Sequence, residues 1–206
     1  MLDYLINLDR AATVAINSWH SPFWDSVMLF VTNKQLMAPV YILLLLMVLL
    51  RRKFKVGRKE YYNCWSIVLI IILSSALAAG FADKFGHEVI KPFFQRLRPG
   101  YDFYIWDQVR TPDGKGGAWG FVSNHAFNVF SLATVLSCFA RRTWFGILAF
   151  LTALAVGYSR VYLGRHFLGD VLCGAICGII TGCICYWLAS QVIKFLGRKQ
   201  VIRQCR

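Results

Sequence analysis

The sequence predicts an all-α, polytopic membrane helical bundle of about five or six transmembrane helices, preceded by an N-terminal interfacial helix. Three observations predict it. Of 206 residues, 57% are hydrophobic and only 16% charged, whereas a soluble domain carries about a quarter charged residues. Apolar segments long enough to cross a bilayer recur along the chain, each span needing about 20 residues. The basic residues behind the net charge of +13 gather in short clusters between those segments, as loops obeying the positive-inside rule do. That clustering argues against nucleic-acid binding, which calls for a basic face or stripe. With most of the length used by spans, residues 1–206 are expected to form a single membrane-embedded domain.

Residues 1–22 begin with Asp3 and Asp9 and carry neither a basic leader nor a small-residue cleavage site, so a secretory signal peptide is not expected. Leu2, Leu5, Ile6, Val14 and Ile16 recur at helical spacing, which suits a helix lying in the interface. Five apolar segments follow, at about 24–50, 61–82, 123–140, 143–160 and 167–196. The first connection, RRKFKVGRK, holds six basic residues. Arg141-Arg142 separates the third and fourth segments, and Lys194, Arg198, Lys199, Arg203 and Arg206 end the chain. Five spans place all three basic regions on one side, the cytoplasmic one by the positive-inside rule. The 83–122 connection and the 159–166 junction then face the opposite side. In the fifth segment Gly174, Gly178 and Gly182 stand four apart, a pattern for close helix packing. Six of the seven cysteines lie in or beside apolar runs without a CxxC pair, and are expected to act as small buried hydrophobes. Cys205 sits in the basic tail.

A charge at the bilayer centre costs about 2.5–3.5 kcal/mol, so three polar clusters stand out, all on the predicted outer side. KPFFQRLRP, residues 91–99, carries Lys91 and Arg98, with Pro92 and Pro99 stopping regular helix nearby. GFVSNHAFN, residues 120–128, opens the third span; Ser123 or Asn124 suits an N-cap, whose free N–H groups attract an anion, and His125 follows. SRVYLGRHFLGD, residues 159–170, holds Arg160, His166 and Asp170. If its end is helical, His166 and Asp170 lie at i and i+4, where a carboxylate can aim an imidazole for nucleophilic or base chemistry. Taken singly, each cluster also reads as an interfacial loop, a structural histidine or a salt bridge. Together, three cations and a helix N-terminus suit a dianion, and the two histidines suit nucleophile and acid. Arg96 and Arg165 read as interfacial side chains whose charges reach toward the head groups. Asp83 and His87, also i and i+4, have no assigned role.

On these residues the chain resembles the type 2 phosphatidic acid phosphatase superfamily of membrane lipid phosphatases. That pattern is Lys-x6-Arg-Pro, then Pro-Ser-Gly-His, then Ser-Arg-x5-His-x3-Asp. Lys91 with Arg98-Pro99 matches the first motif, and Ser159-Arg160, His166 and Asp170 match the third. The second is half kept, as Val122-Ser123-Asn124-His125, with Asn124 where the family has a glycine; asparagine tolerates positive φ better than most residues. The resemblance implies that His166 attacks phosphorus to give a phosphohistidine and that Asp170 orients it. His125 would protonate the leaving oxygen, while Lys91, Arg98, Arg160, Ser123 and Asn124 bind the phosphate. No cofactor is implied, and no metal, since the candidate site has one carboxylate, Asp170. The expected partners are the bilayer and a lipid phosphate of lipid A, undecaprenyl pyrophosphate, phosphatidylglycerophosphate or phosphatidic acid type. The expected location is a bacterial inner membrane with the site on the periplasmic face. The rival reading is a non-catalytic lipid transporter or phospholipid-binding protein, which would need the cations but not the two histidines and the aspartate.

Overall fold

A computed structural model describes residues 1–199 and 201–202. In chain order the elements are α1 (Leu2–Ser18), α2 (Pro22–Thr32), α3 (Lys34–Leu49), β1 (Lys53–Val56), β2 (Lys59–Tyr62), α4 (Trp65–Phe85), α5 (Lys91–Phe94), α6 (Asn124–Ala140), α7 (Thr143–Tyr162) and α8 (Leu168–Arg198). All five apolar segments appear as helix. Arg203, Cys205 and Arg206 lie outside the described residues.

Among the described residues, three helical stretches are long and apolar enough to cross a membrane: Trp65–Phe94, Thr143–Tyr162 and Leu168–Arg198. The expected single span at 24–50 is instead two helices meeting at 61°, which make up to four spans if the pair counts as one. Asn33 causes the break: its Oδ1 accepts from Gln35 N at 2.9 Å and Leu36 N at 3.2 Å, capping a new helix where the old one would have continued. α6, at 17 residues, is shorter than the other core helices and packs against α4, α7 and α8 at once.

The glycine stripe does what its spacing predicts. A Cβ on Gly174, Gly178 or Gly182 would sit 2.6–2.7 Å from the carbonyl oxygens of Ser123, Phe127 and Ser131 respectively. These absent side chains let the backbones of α6 and α8 touch.

Two expectations are corrected. The 83–122 connection does not begin at 83: α4 runs through a π-helical turn, Gly86–Ile90, into α5. Pro92 sits in the first turn of α5, where its missing N–H interrupts little. Lys91 is therefore on a helix end. The basic 51–59 loop is also more than a loop. Phe54, Val56 and Tyr61 are buried and the lysines between them face out, so β1 and β2 pair as a hairpin across Gly57, at φ 64. This hairpin adds a small sheet to an otherwise helical protein.

The hairpin belongs to the basic end. Arg51 donates to the Phe139 carbonyl at 3.3 Å, and Gly57 and Gly197 lie against Lys194 and Tyr61. Basic clusters far apart in sequence thus meet at one end of the bundle. α6 leads from there to the opposite end, where its first residues, α5 and the start of α8 come together. Among the described residues six cysteines are free; Cys185 is buried, but Cys183 is exposed on α8, contrary to expectation.

Candidate active site

The two ends of the third sequence cluster are brought together by a tight turn. Residues 163–167 link α7 to α8, and the backbone N–H groups of Arg165 and His166 both donate to the Arg160 carbonyl. Gly164, at φ 65, makes the turn; any Cβ there would meet the Arg110 carbonyl at 2.3 Å. The turn leaves Arg160 at 3% and His166 at 2% exposure.

Asp170, fully buried, stands one helical turn after His166. Its Oδ2 lies 3.6 Å from His166 Nδ1 and accepts from Phe167 N at 3.1 Å. The i, i+4 relation is thus realised, at ion-pair range and longer than a hydrogen bond. Catalytic hydrogen bonds are often loose before substrate arrives. Nε2 is the nitrogen directed away from the carboxylate.

Lys91, also buried, donates to the carbonyls of Gly120 at 3.3 Å and Val122 at 3.1 Å, which fixes the chain leading into α6. Arg98 donates from Nε to the Trp119 carbonyl at 3.2 Å. Arg160 donates to Thr32 Oγ1 and lies 3.7 Å from Asp113. Gly120 separates Arg98 from Asp170: its Cβ would be 3.0 Å from Asp170 Oδ2 and 3.1 Å from Arg98 Cγ.

The donors are not used up by these bonds. Arg98 Nη1 and Arg160 Nε are buried with no hydrogen-bond partner among the described residues. Buried polar groups are normally satisfied, so a cluster of orphaned donors suits an incoming anion. Burial first, then the charges of Arg98, Arg160 and Lys91, hold the His166 imidazole well below the ordinary histidine pKa. It is neutral at pH 7, as a nucleophile must be.

Ser123 is the N-cap of α6, its Oγ accepting from Ala126 N at 3.5 Å. Asn124 departs from expectation. It adopts ordinary helical backbone, not positive φ, and its Nδ2 donates to the Asp83 carbonyl at 2.9 Å. Its side chain fills the space beside Gly86, where a Cβ would be 2.7 Å away. Asp83 also accepts from Asn128 and pairs with Lys34 at 3.8 Å, so it joins α3, α4 and α6; no bond links it to His87, which is exposed.

His125 lies within electrostatic reach of Arg160 and His166. It borders a cleft of about 310 Å³ between α3 and α6, with Thr32, Lys34, Met37, Tyr41 and Val156. Among the described residues no three His, Cys, Asp or Glu side chains are grouped to hold a metal ion.

Arg96 and Arg165 are not interfacial. Arg165 donates to the Asp113 and Gly114 carbonyls at 2.8 and 2.7 Å, pinning the 111–117 loop over the site. Arg96 bridges Asp170 Oδ1 at 2.8 Å and Asp9 Oδ2 at 2.6 Å. Asp9, Thr32, Arg96 and Asp113 were thus missed by sequence reasoning. One signal was available: Asp9, Thr13 and Asn17, spaced by four, form the polar stripe by which α1 docks. Asn17 Nδ2 donates to the Tyr162 carbonyl at 2.6 Å and the Arg110 carbonyl at 3.0 Å. α1 therefore docks through its polar face and turns Tyr4, Leu5 and Leu8 outward.

Comparison with known proteins adds to this geometry. The model of the PAP2 superfamily matches residues 63–194. Among curated relatives, a "Lipid A 4'-phosphatase" of Bacteroides thetaiotaomicron is 34% identical over 93% of this chain and 81% of its own length. A second "Lipid A 4'-phosphatase", from Porphyromonas gingivalis, is 27% identical over 90% and 74%. The crystal structure of a transmembrane PAP2-type phosphatidylglycerolphosphate phosphatase from Bacillus subtilis shares the fold, with TM-score 0.63, 22% identity, and coverage of 94% of this chain and 88% of that one. The crystal structure of Aquifex aeolicus LpxE does so with TM-score 0.58, 24% identity, and coverage of 85% and 92%.

Proposed function

Since the chain belongs to the PAP2 superfamily, we propose that it is an integral-membrane lipid phosphatase that removes the 4'-phosphate of lipid A through a phosphohistidine. One observation carries the chemistry: a buried, neutral His166 with Lys91, Arg98 and Arg160 around it and donors on both arginines unpaired. Phosphoryl transfer depends on such positioning and charge more than on covalent assistance. Of three relatives that align over nine-tenths or more of this chain, two are named lipid A 4'-phosphatases, one of them at 34% identity, and the third, at 27%, an undecaprenyl-diphosphatase; the choice of lipid is supported by the first two names.

In the first step His166 Nε2 attacks phosphorus as the bond to the lipid oxygen breaks, and His125 gives that oxygen a proton. Water then attacks the phosphohistidine, the P–N bond breaks, and His125 takes the water's proton. Lys91, Arg98, Arg160 and the free N–H groups at the start of α6 hold the equatorial oxygens. The apolar cleft beside His125 suits an acyl chain, which favours a lipid over a soluble phosphate ester. The basic clusters at the far end support a cytoplasmic position for that end, and with it a site on the periplasmic face of a bacterial inner membrane.

The test is phosphate release by purified protein from lipid A, undecaprenyl pyrophosphate and phosphatidylglycerophosphate. Release from lipid A, abolished in His166→Ala and His125→Ala, is expected; losing one preorganised donor already costs about 10²–10³ in rate. Full activity in His166→Ala would sink the mechanism. Preference for another lipid would overturn the substrate.

A further inference from the structure

The start of α8 is an unusual helix end, because its N-cap residue is Phe167, whose side chain accepts no hydrogen bond. Its first N–H groups are satisfied by other residues. Phe167 N donates to Asp170 Oδ2 at 3.1 Å, Leu168 N to Thr13 Oγ1 at 3.1 Å, and Gly169 N to Asp9 Oδ1 at 2.8 Å. Two of the three acceptors come from α1. Thr13 is itself anchored by donating to the Asp9 carbonyl at 2.7 Å. A Cβ on Gly169 would lie 2.8 Å from Asp9 Oδ2, so glycine is what admits the Asp9 carboxylate.

The second oxygen of Asp9 accepts from Arg96 Nη2 at 2.6 Å, and Arg96 Nη1 donates to Asp170 Oδ1 at 2.8 Å. The guanidinium also stacks over the Phe167 ring, 4.1 Å from its centroid. Arg96 is therefore held on three sides, and both oxygens of Asp170 are spoken for: Oδ1 by Arg96, Oδ2 by Phe167 N and, at 3.6 Å, His166. A carboxylate taken fully out of water keeps its charge only against a cation. Lys91 and Arg98 act on Asp170 through space, but their hydrogen bonds go to the carbonyls of Gly120, Val122 and Trp119, and that of Arg160 goes to Thr32. Arg96 is the cation bonded directly to Asp170.

From this arrangement we infer that Arg96 and Asp9 are positioning residues for the phosphatase reaction: Arg96 fixes the charge and orientation of Asp170, and Asp9 fixes Arg96, which makes α1 part of the catalytic apparatus. The inference rests on the proposed function for its kinetic readout. Neither residue touches the phosphate; both act through Asp170 on His166. Without Arg96 the carboxylate is free to rotate away from Nδ1 or to become neutral. Either change frees the imidazole to exchange tautomers and lowers the fraction with Nε2 ready to attack.

The test compares Arg96→Gln, Arg96→Lys, Asp9→Asn, Asp170→Asn and the double variant Arg96→Gln/Asp170→Asn in purified full-length protein. Misplacing a catalytic group by about 1 Å costs about 10² in rate. Arg96→Gln is expected to lose kcat on that order with KM little changed, Arg96→Lys to recover part of it, and Asp9→Asn to lose less. The double variant should be no slower than Asp170→Asn alone, because residues acting as one unit are not additive. Losses that multiply in the double variant, or an Arg96→Gln kcat within about twofold of wild type, would overturn the inference. A second readout needs no turnover: ¹⁵N spectra of histidine-labelled protein, with His166→Gln as assignment control. These should show the Nδ1–H tautomer of His166 in wild type and mixed tautomers in Arg96→Gln and Asp9→Asn. Should wild type release no phosphate from any lipid, the proposed function fails, and unchanged tautomers would then separately remove the positioning role. If Arg96→Gln does not fold, the Asp9→Asn and Arg96→Lys spectra decide.

Discussion

Thr32, the last residue of α2, accepts a hydrogen bond from Arg160 of α7, so the helix break at Asn33 and a guanidinium of the site are fixed to one another. A hydrogen bond to a charged group contributes about 1.5–3 kcal/mol. Thr32→Val is therefore expected to lower kcat/KM for lipid phosphate by about tenfold or more, while Thr32→Ser, which keeps the oxygen, stays close to wild type. Steady-state phosphate release checks both.

Gly178 and Gly80 make a matched pair for stability. A Cβ at Gly178 meets the Phe127 carbonyl at 2.6 Å, while one at Gly80 meets nothing within 4 Å. Gly178→Ala should destabilise by about 1–3 kcal/mol through overpacking. Gly80→Ala should leave the Tm unchanged or raise it, since alanine is favoured over glycine in a helix by about 0.5–1 kcal/mol. Thermal melts in detergent distinguish the two.

The buried His166 has a pH consequence. Its native pKa is held well below the ordinary value near 6.5. Below pH 6.5 the unfolded chain therefore takes up a proton that the native protein refuses, and stability falls as pH falls. The slope approaches about 1.4 kcal/mol per pH unit for one such group. Melts between pH 7 and pH 5 should show a falling Tm, with a shallower fall in His166→Gln.

Asn124 separates backbone from side-chain roles. Asn124→Ala removes the bond to Asp83 and should cost about 0.5–1.5 kcal/mol of stability. It keeps the backbone N–H at the start of α6, so phosphate release should change by less than it does in Thr32→Val. A rate loss equal to that of His125→Ala would instead place the Asn124 side chain on the substrate.

The residues that converge on His166 were legible in sequence because their spacing is local. His166 and Asp170 are one helical turn apart, and Arg160 is joined to them by a five-residue turn. Lys91 and Arg98 stand out as cations each followed by a proline. What stayed hidden depends on contacts between distant segments. Arg96 meets Asp9 across 87 positions and Asp170 across 74, and no periodicity encodes such a pairing. α1 shows the same limit: its leucines mark an outward apolar face, but the docking contacts of Asp9, Thr13 and Asn17 depend on α7, α8 and the 110 region. The hairpin is masked in sequence because the dense charge of RRKFKVGRK hides the alternation of Phe54 and Val56, which Tyr61 continues on the second strand. Asn33 broke a span through its capping side chain, a signal that a run of apolar neighbours obscures.

α6 also sets a depth. Seventeen residues at about 1.5 Å each make a rod of about 26 Å, shorter than a hydrocarbon layer of about 30 Å. Its two ends are the phosphate cradle and the basic face, so both cannot lie flush with their own water boundaries in a bilayer of ordinary thickness. With the basic end anchored among the head groups of one leaflet, Ser123 is left several ångströms beneath the opposite surface. The phosphate must then sink to meet His166, or the lipids around α6 must compress. Hydrophobic mismatch of this kind carries an energetic cost, so turnover is expected to rise as the acyl chains of the host membrane shorten toward the length of α6. The thickness of the surrounding lipid would then act as a rate-setting variable for a reaction whose chemistry lies entirely within the protein.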